Sequence, residues 1–259
     1  MTKPSLKERL HTQPLSLGMQ SFSANPGIVE ILGLTGFDWV SLDMEHSPTS
    51  FETVEHLARA AKAAGTSALV RVAENDPIQI MKALDRGVDG VIVPHIKSAA
   101  DLEAAVAATR YSPDGIRGAC TSVRSSGYGT EPWDSYLERV ASETVVVALV
   151  EDEEAITSFD ELLKVDGVDA FWLGTRDLAQ AMGIPGSDLH NPLFTKMAKD
   201  LCARAKDQGK LMMATVGPLL TIEYAQFIHS LGFTCISYGT DLKNFGRFAQ
   251  SVVTGLRGE

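Results

Sequence analysis

The sequence predicts a single (β/α)8 barrel, on three observations. About eight short apolar runs alternate with helical patterns along its 259 residues. Most of those runs are nearly continuous in apolar residues, as parallel strands covered on both faces are. The first run leads into GMQSFSANPG, which lacks the G-x-G-x-x-G turn of an open nucleotide-binding sheet. A chain of roughly 250 residues is the usual length of one such barrel, and no linker, low-complexity tract or heptad run divides it, so 1–259 reads as one domain.

In order, the predicted strands are 15–20, 38–43, 67–72, 89–93, 144–150, 168–173, 210–215 and 233–238. Between them, 50–64 is helical because Val54, Leu57, Ala58 and Ala61 recur on one face. Segment 99–109 places Leu102, Ala105, Val106 and Thr109 together, and 76–86, 153–164, 193–208, 219–230 and 241–256 follow the same periodicity. Thr49 with Glu52, and Ser98 with Asp101, have the spacing of capping boxes. Gly65, Gly87, Gly167, Gly209 and Gly232 stand before strands, where a left-handed helix cap is expected. The longest irregular stretch, 111–132, is long enough to predict a functional loop.

Acidic residues number 33 and basic residues 23, a net charge of −10. With no basic block, nucleic acid and anionic membranes are excluded as main partners. Three scattered cysteines, Cys120, Cys202 and Cys235, form neither a disulfide framework nor a thiolate zinc site. The opening segment has charges but no apolar core of a secretory signal, and no stretch reaches the ~18 apolar residues of a bilayer span. A cytoplasmic location is the expectation.

In a barrel the carboxyl ends of the strands form the active-site rim. Four strands deliver polar groups there: Asp43, Glu45 and His46 after the second, Arg71 in the third, Glu151 after the fifth, and Gly174, Thr175, Arg176 and Asp177 after the sixth. Each has a plainer reading. Asp43 caps a turn, His46 is a surface residue, Arg71 sits in a buried ion pair, and Asp177 is the N-cap of a helix starting at Leu178. The acids after Glu151 merely favour a helix N-terminus. Co-location raises the functional reading. Two carboxylates on neighbouring strand ends, Glu151 and Asp177, suit a hard divalent ion, Mg2+ or Mn2+, with Co2+ or Zn2+ as substitutes. No H-E-x-x-H, G-x-S-x-G or P-loop is present, and no strand-interior lysine could form a Schiff base.

The stretch FDWVSLDMEHSP (37–48) resembles the second-strand motif of the metal-dependent pyruvate aldolases of the HpcH/HpaI family. LVRVAENDP (69–77), the block 92–118, ALVEDEEAI (148–156) and the block 165–186 resemble further family blocks in the same order, over nearly the whole chain. The resemblance implies a lyase that cleaves 4-hydroxy-2-oxo acids to pyruvate and an aldehyde. It implies Glu151 and Asp177 as metal ligands, His46 as catalytic base with Asp43 as its orienting neighbour, and Arg71 on the keto oxygen. It also implies Gly174 and the following backbone, Thr175 included, at the pyruvate carboxylate, and Ser126 in the long loop as a substrate contact. A hexamer whose last helix, 241–256, swaps onto a neighbour is implied as well.

The chain departs from the family pattern in three places: Leu149 for a common Gln, Ser47 for a common Gly, and the pair Thr175-Arg176 for a Pro and a small residue. Arg176, a long cation beside the pyruvate site, is expected to shift substrate preference within the 2-oxo acid class. Two other functions compete: a lyase acting on a CoA ester of the citryl or malyl type, and a catalytically silent barrel that binds oxo acids.

Overall fold

The computed structural model describes residues 4–183, 190–217 and 219–258; the end of the 165–186 block, residues 184–186, lies outside the described residues. Eight parallel strands, β1 (Ser16–Ser21), β2 (Trp39–Asp43), β3 (Ser67–Arg71), β4 (Gly90–Val93), β5 (Val145–Val150), β6 (Ala170–Leu173), β7 (Leu211–Thr215) and β8 (Cys235–Thr240), close in sequence order into a barrel. Each predicted strand is found, its ends within two residues of expectation.

The helices are α1 (Leu6–Thr12), α2 (Pro26–Leu34), α3 (Phe51–Ala64), α4 (Pro77–Asp85), α5 (Ala99–Thr109), α6 (Trp133–Glu143), α7 (Glu153–Thr157), α8 (Phe159–Leu163), α9 (Thr175–Ala181), α10 (Pro192–Asp207), α11 (Ile222–Ser230) and α12 (Asp241–Arg257). The predicted helix 153–164 is two short helices, α7 and α8, meeting at Ser158. The Ser98–Asp101 capping box forms, but at the start of α3 the cap is Ser50, which accepts from Thr53, and the Thr49–Glu52 box does not form. All five glycines expected as caps have positive φ.

Two apolar layers hold the barrel. The outer one lies between strands and helices and contains the predicted faces of α3 and α5. The inner one fills the barrel with Trp39, Leu69, Ile92, Val147, Leu149, Trp172, Met213 and Cys235, as inward layers of bulky side chains do in this architecture. Leu6 and Leu10 of α1 join that layer; the helix is fixed by a Ser5–Glu8 capping box. Trp39 and Trp172 meet edge to face with ring centroids 5.5 Å apart. The Trp39 ring occupies the space above Gly18, its register partner on β1.

Candidate active site

The barrel register assembles the rim. Pairing of β2 with β3 sets Asp43 beside Arg71, and pairing of β5 with β6 ends at Val150 and Leu173, which brings Glu151 beside Gly174. A Cβ on Gly174 would stand 2.7 Å from the Glu151 Cβ, so only glycine allows this approach. Gly174 donates its N–H to the Val150 carbonyl, which leaves the backbone beyond it, rather than its own amide, to meet a ligand.

Asp43 is fully buried and does two things at once. One carboxylate oxygen pairs with the Arg71 guanidinium, and the other accepts the backbone N–H of His46 at 2.6 Å. The turn-capping and ion-pair readings of Asp43 and Arg71 are therefore both met, and neither prevents Arg71 from facing the cavity, which it lines. Asp43 orients His46 through the backbone. The imidazole itself is exposed, and its Nε2 lies 3.7 Å from Glu45.

Glu45 and His95 complete the cluster and were not among the residues the sequence singled out as ligands or catalysts. Glu45 Oε2 lies 3.0 Å from an Arg71 nitrogen, yet it is buried without an aligned hydrogen-bond donor. Its other oxygen is 3.3 Å from His95 Nε2. His95 has φ +59°, a conformation costly for a residue with a side chain. That backbone donates its N–H to Glu151 at 3.0 Å, and the ring Nδ1 stands 3.3 Å from the same oxygen. The signal that would have found His95 is its place two residues beyond β4, on the same rim.

Burial, first, and then the charges of Glu45 and Asp177 push the Glu151 carboxyl above the usual carboxylate range; the His95 N–H opposes them. Asp177 lies in the first turn of α9, which begins at Thr175, and its side chain makes no capping bond; it is not the N-cap. Thr175 is buried, Arg176 is exposed, and both line the same cavity. Among the described residues no three His, Cys, Asp or Glu side chains converge into a closed metal cage. The fit is to an open site. Two carboxylates oppose each other's charge at the edge of a cavity of about 390 Å³, and its other lining groups include Gln20, Ser41, Trp172, Thr215 and Lys243. Leu149 is buried beneath them as apolar floor.

Ser126 is not brought to this mouth. It is buried, and its hydroxyl donates to the carbonyls of Thr121 and Val123. Arg124 binds the Arg86 and Gly87 carbonyls at 2.7 and 2.9 Å, and so draws the long loop toward the opposite end of the barrel. A larger cavity, about 660 Å³, lies at that end, around Ser67, Asp89 and Thr144 at the strand starts. Most of its cations are engaged within the protein: Arg9 with Ser67 and Asp38, Arg117 with Asp85, Arg139 with Glu131. The carboxyl-end cavity lies at the strand ends where this architecture places its chemistry, and it is the candidate site.

The sequence profile of the HpcH/HpaI aldolase/citrate lyase family matches residues 17–246. The 5-keto-4-deoxy-D-glucarate aldolase of Citrobacter koseri (strain ATCC BAA-895 / CDC 4225-83 / SGSC4696) is 33% identical, covering 97% of this chain and 95% of that protein. The 2-dehydro-3,6-dideoxy-6-sulfogluconate aldolase of Pseudomonas putida is 34% identical, covering 96% and 95%. The crystal structure of an HpcH/HpaI aldolase from Desulfitobacterium hafniense DCB-2 superimposes with a TM-score of 0.89 at 26% identity, covering 98% and 97%. With the barrel and its rim in place, these matches settle the kinship: the chain belongs to the HpcH/HpaI aldolase/citrate lyase family and is a carbon–carbon lyase of the aldolase kind.

Proposed function

We propose that the protein cleaves a 4-hydroxy-2-oxo acid to pyruvate and an aldehyde, and joins them in reverse, as a single barrel unit in a reducing cytoplasm. The observation that carries this is the convergence of Glu151, Asp177, Arg71 and His46 on one cavity; a silent barrel has no need of that set. The names of the two curated relatives point the same way. Each describes an acid with an oxo group next to a carboxylate and a deoxygenated carbon beyond it. A cavity of about 390 Å³ suits a sugar acid rather than a CoA ester.

A divalent ion held by Glu151 and Asp177, in keeping with the family's metal dependence and best met by Mg2+ or Mn2+, would supply Lewis acidity at the oxo oxygen. Arg71, fixed by Asp43 and Glu45, places a second positive group where enolate charge develops, with no reorganisation required during reaction. His46 takes the proton of the C4 hydroxyl as the C3–C4 bond breaks. The C4 oxygen becomes the aldehyde carbonyl, and the bond's electrons pass to C3 and the oxo oxygen. A proton then returns to C3, giving the methyl group of pyruvate. The backbone from Gly174 to Thr175 meets the substrate carboxylate.

Pyruvate release from racemic 4-hydroxy-2-oxo acids, followed with and without a chelator, tests this. Activity is expected to vanish with chelator and return with Mg2+ or Mn2+. His46→Ala should lower kcat by about 10²–10⁴-fold, the usual worth of a general base. Chelator-insensitive cleavage overturns the metal assignment, and a parent-like His46→Ala overturns the base.

The last helix supports an oligomer. On α12 only Asp241 is buried, whereas Leu242, Phe245, Phe248, Val252, Val253 and Leu256 are exposed. Isolated monomers rarely present such a stripe to water. We propose that α12 packs on a neighbouring subunit within a hexamer. Light scattering after size exclusion should find the parent assembled and Phe245→Asp/Phe248→Asp in smaller species; a monomeric parent refutes the assembly.

A further inference from the structure

The two oxygens of Glu151 have different surroundings. Oε1 accepts the backbone N–H of His95 at 3.0 Å and stands 3.3 Å from Nδ1 of the same residue's ring. Among the described residues nothing donates a hydrogen bond to Oε2. His95 is not among the described residues that line the cavity, so it acts on Glu151 from behind. One oxygen is held, and the other is left for whatever occupies the centre.

The bend that makes this contact is strained. His95 has φ +59°, and Pro94 and Ile96 on either side of it are buried. The neighbours therefore fix the bend, and the N–H between them stays turned toward Glu151. Among the described residues with positive φ, eleven are glycine and four are not. Glycine would make this bend without strain, so a ring standing here has to be held by contacts of its own. It has two: Nδ1 faces Glu151, and Nε2 lies 3.3 Å from Glu45. Both acids are nearly buried, and the other oxygen of Glu45 is 3.0 Å from Arg71. With a carboxylate before each nitrogen, the ring has an acceptor whichever nitrogen carries the proton.

We propose that His95 is a positioning residue for the metal centre. Its backbone N–H and its ring together hold Oε1 of Glu151, and so leave Oε2 in place for the divalent ion. Partners that orient a ligating group in this way govern about 10–100-fold in metal affinity. The proposal rests on the assignment of Glu151 and Asp177 as metal ligands above.

The experiment titrates the full chain with Mn2+ and counts the free aquo ion by electron paramagnetic resonance, which reads affinity without any substrate. The parent is expected to bind one Mn2+ per chain, and Asp177→Asn to lose it. His95→Gly keeps the left-handed bend and the backbone N–H and removes only the ring; it should weaken Mn2+ about tenfold. His95→Asn, which tolerates the same bend and returns a side-chain donor, should lie between His95→Gly and the parent. In chelator His95→Gly should melt close to the parent, because the strain is relieved. A His95→Gly variant that binds Mn2+ as tightly as the parent, while Asp177→Asn does not, overturns the positioning role alone. If that variant also melts well below the parent, the ring is structural. A parent that takes up no Mn2+, or an Asp177→Asn variant with parent affinity, overturns the metal assignment and the positioning role with it.

Discussion

Glu151→Gln should lower kcat/KM by about a thousandfold while leaving the metal-free protein at least as stable as the parent. The activity loss follows from removing one of the two carboxylates proposed to hold the metal centre, worth several kcal/mol of barrier. Stability should move the other way because the Glu151 carboxyl is held above its ordinary range by burial and by Glu45 and Asp177. A folded-state pKa raised above the unfolded value contributes stability at pH below the unfolded pKa and loses it as pH rises through the folded one. At neutral pH, in chelator, the parent thus carries an unfavourable charge that Gln lacks. The amide oxygen of Gln can still accept the His95 N–H, so the loop after β4 keeps its anchor. Thermal melts in chelator, from pH 4 to pH 8, should show the variant gaining on the parent as pH rises. A variant that melts well below the parent at neutral pH would show Glu151 to be a structural residue, and a variant that keeps parent activity would remove it from the centre.

Gly18→Ala should destabilise the barrel by about 1–3 kcal/mol, the cost of overpacking a filled core, and should also slow the reaction. A Cβ at this position would stand 2.2 Å from a Trp39 ring atom, with two more at 2.3 and 2.4 Å. The indole cannot yield freely, because it is fully buried and packed against Trp172. Trp172 in turn lines the cavity and donates its ring N–H to Thr215 at 3.2 Å. The displacement therefore has a path from the barrel interior to the active site. Urea denaturation and steady-state kinetics should record both losses. An unchanged midpoint would show that the inner layer has slack, contrary to its packing here.

The strands were legible because burial on both faces writes itself as continuous apolar runs. Helices with a strong apolar stripe, such as α3 and α10, were legible for the same reason. Three helices were not. The Asn25-Pro26 start of α2 is a helix-opening signal, an N-cap followed by proline at the first position, yet Asn-Pro-Gly also reads as a turn. In α1 the burial of Leu6 and Leu10 comes from plugging the barrel, a tertiary fact. The α6 helix carries Trp133, Tyr136, Leu137 and Val140 at helical spacing, but it follows directly on the long irregular stretch 111–132 and opens at Pro132 with no side-chain cap to mark its start.

The site divides along similar lines. Strand-end position alone gathered Asp43, His46, Arg71, Glu151 and Asp177 at one rim. What links them was not legible, because Glu45 reaches Arg71 and His95 across three strands, and such contacts depend on register and on the bent backbone at His95. Ser126 went elsewhere because the Arg124 contacts, thirty-seven and thirty-eight residues distant in sequence, fix the long loop.

The perpendicular indoles inside the barrel have an optical consequence. The three tryptophans are Trp39, Trp133 and Trp172, and two of them lie 5.5 Å apart at an interplanar angle of 79°. Of the three tryptophans only Trp172 touches the cavity, while Trp39 is fully enclosed in the barrel. A ligand entering the mouth meets the outer indole, and any shift of that ring is felt at once by the inner one it packs against. The emission of the pair therefore answers both to the chemistry above and to the packing below.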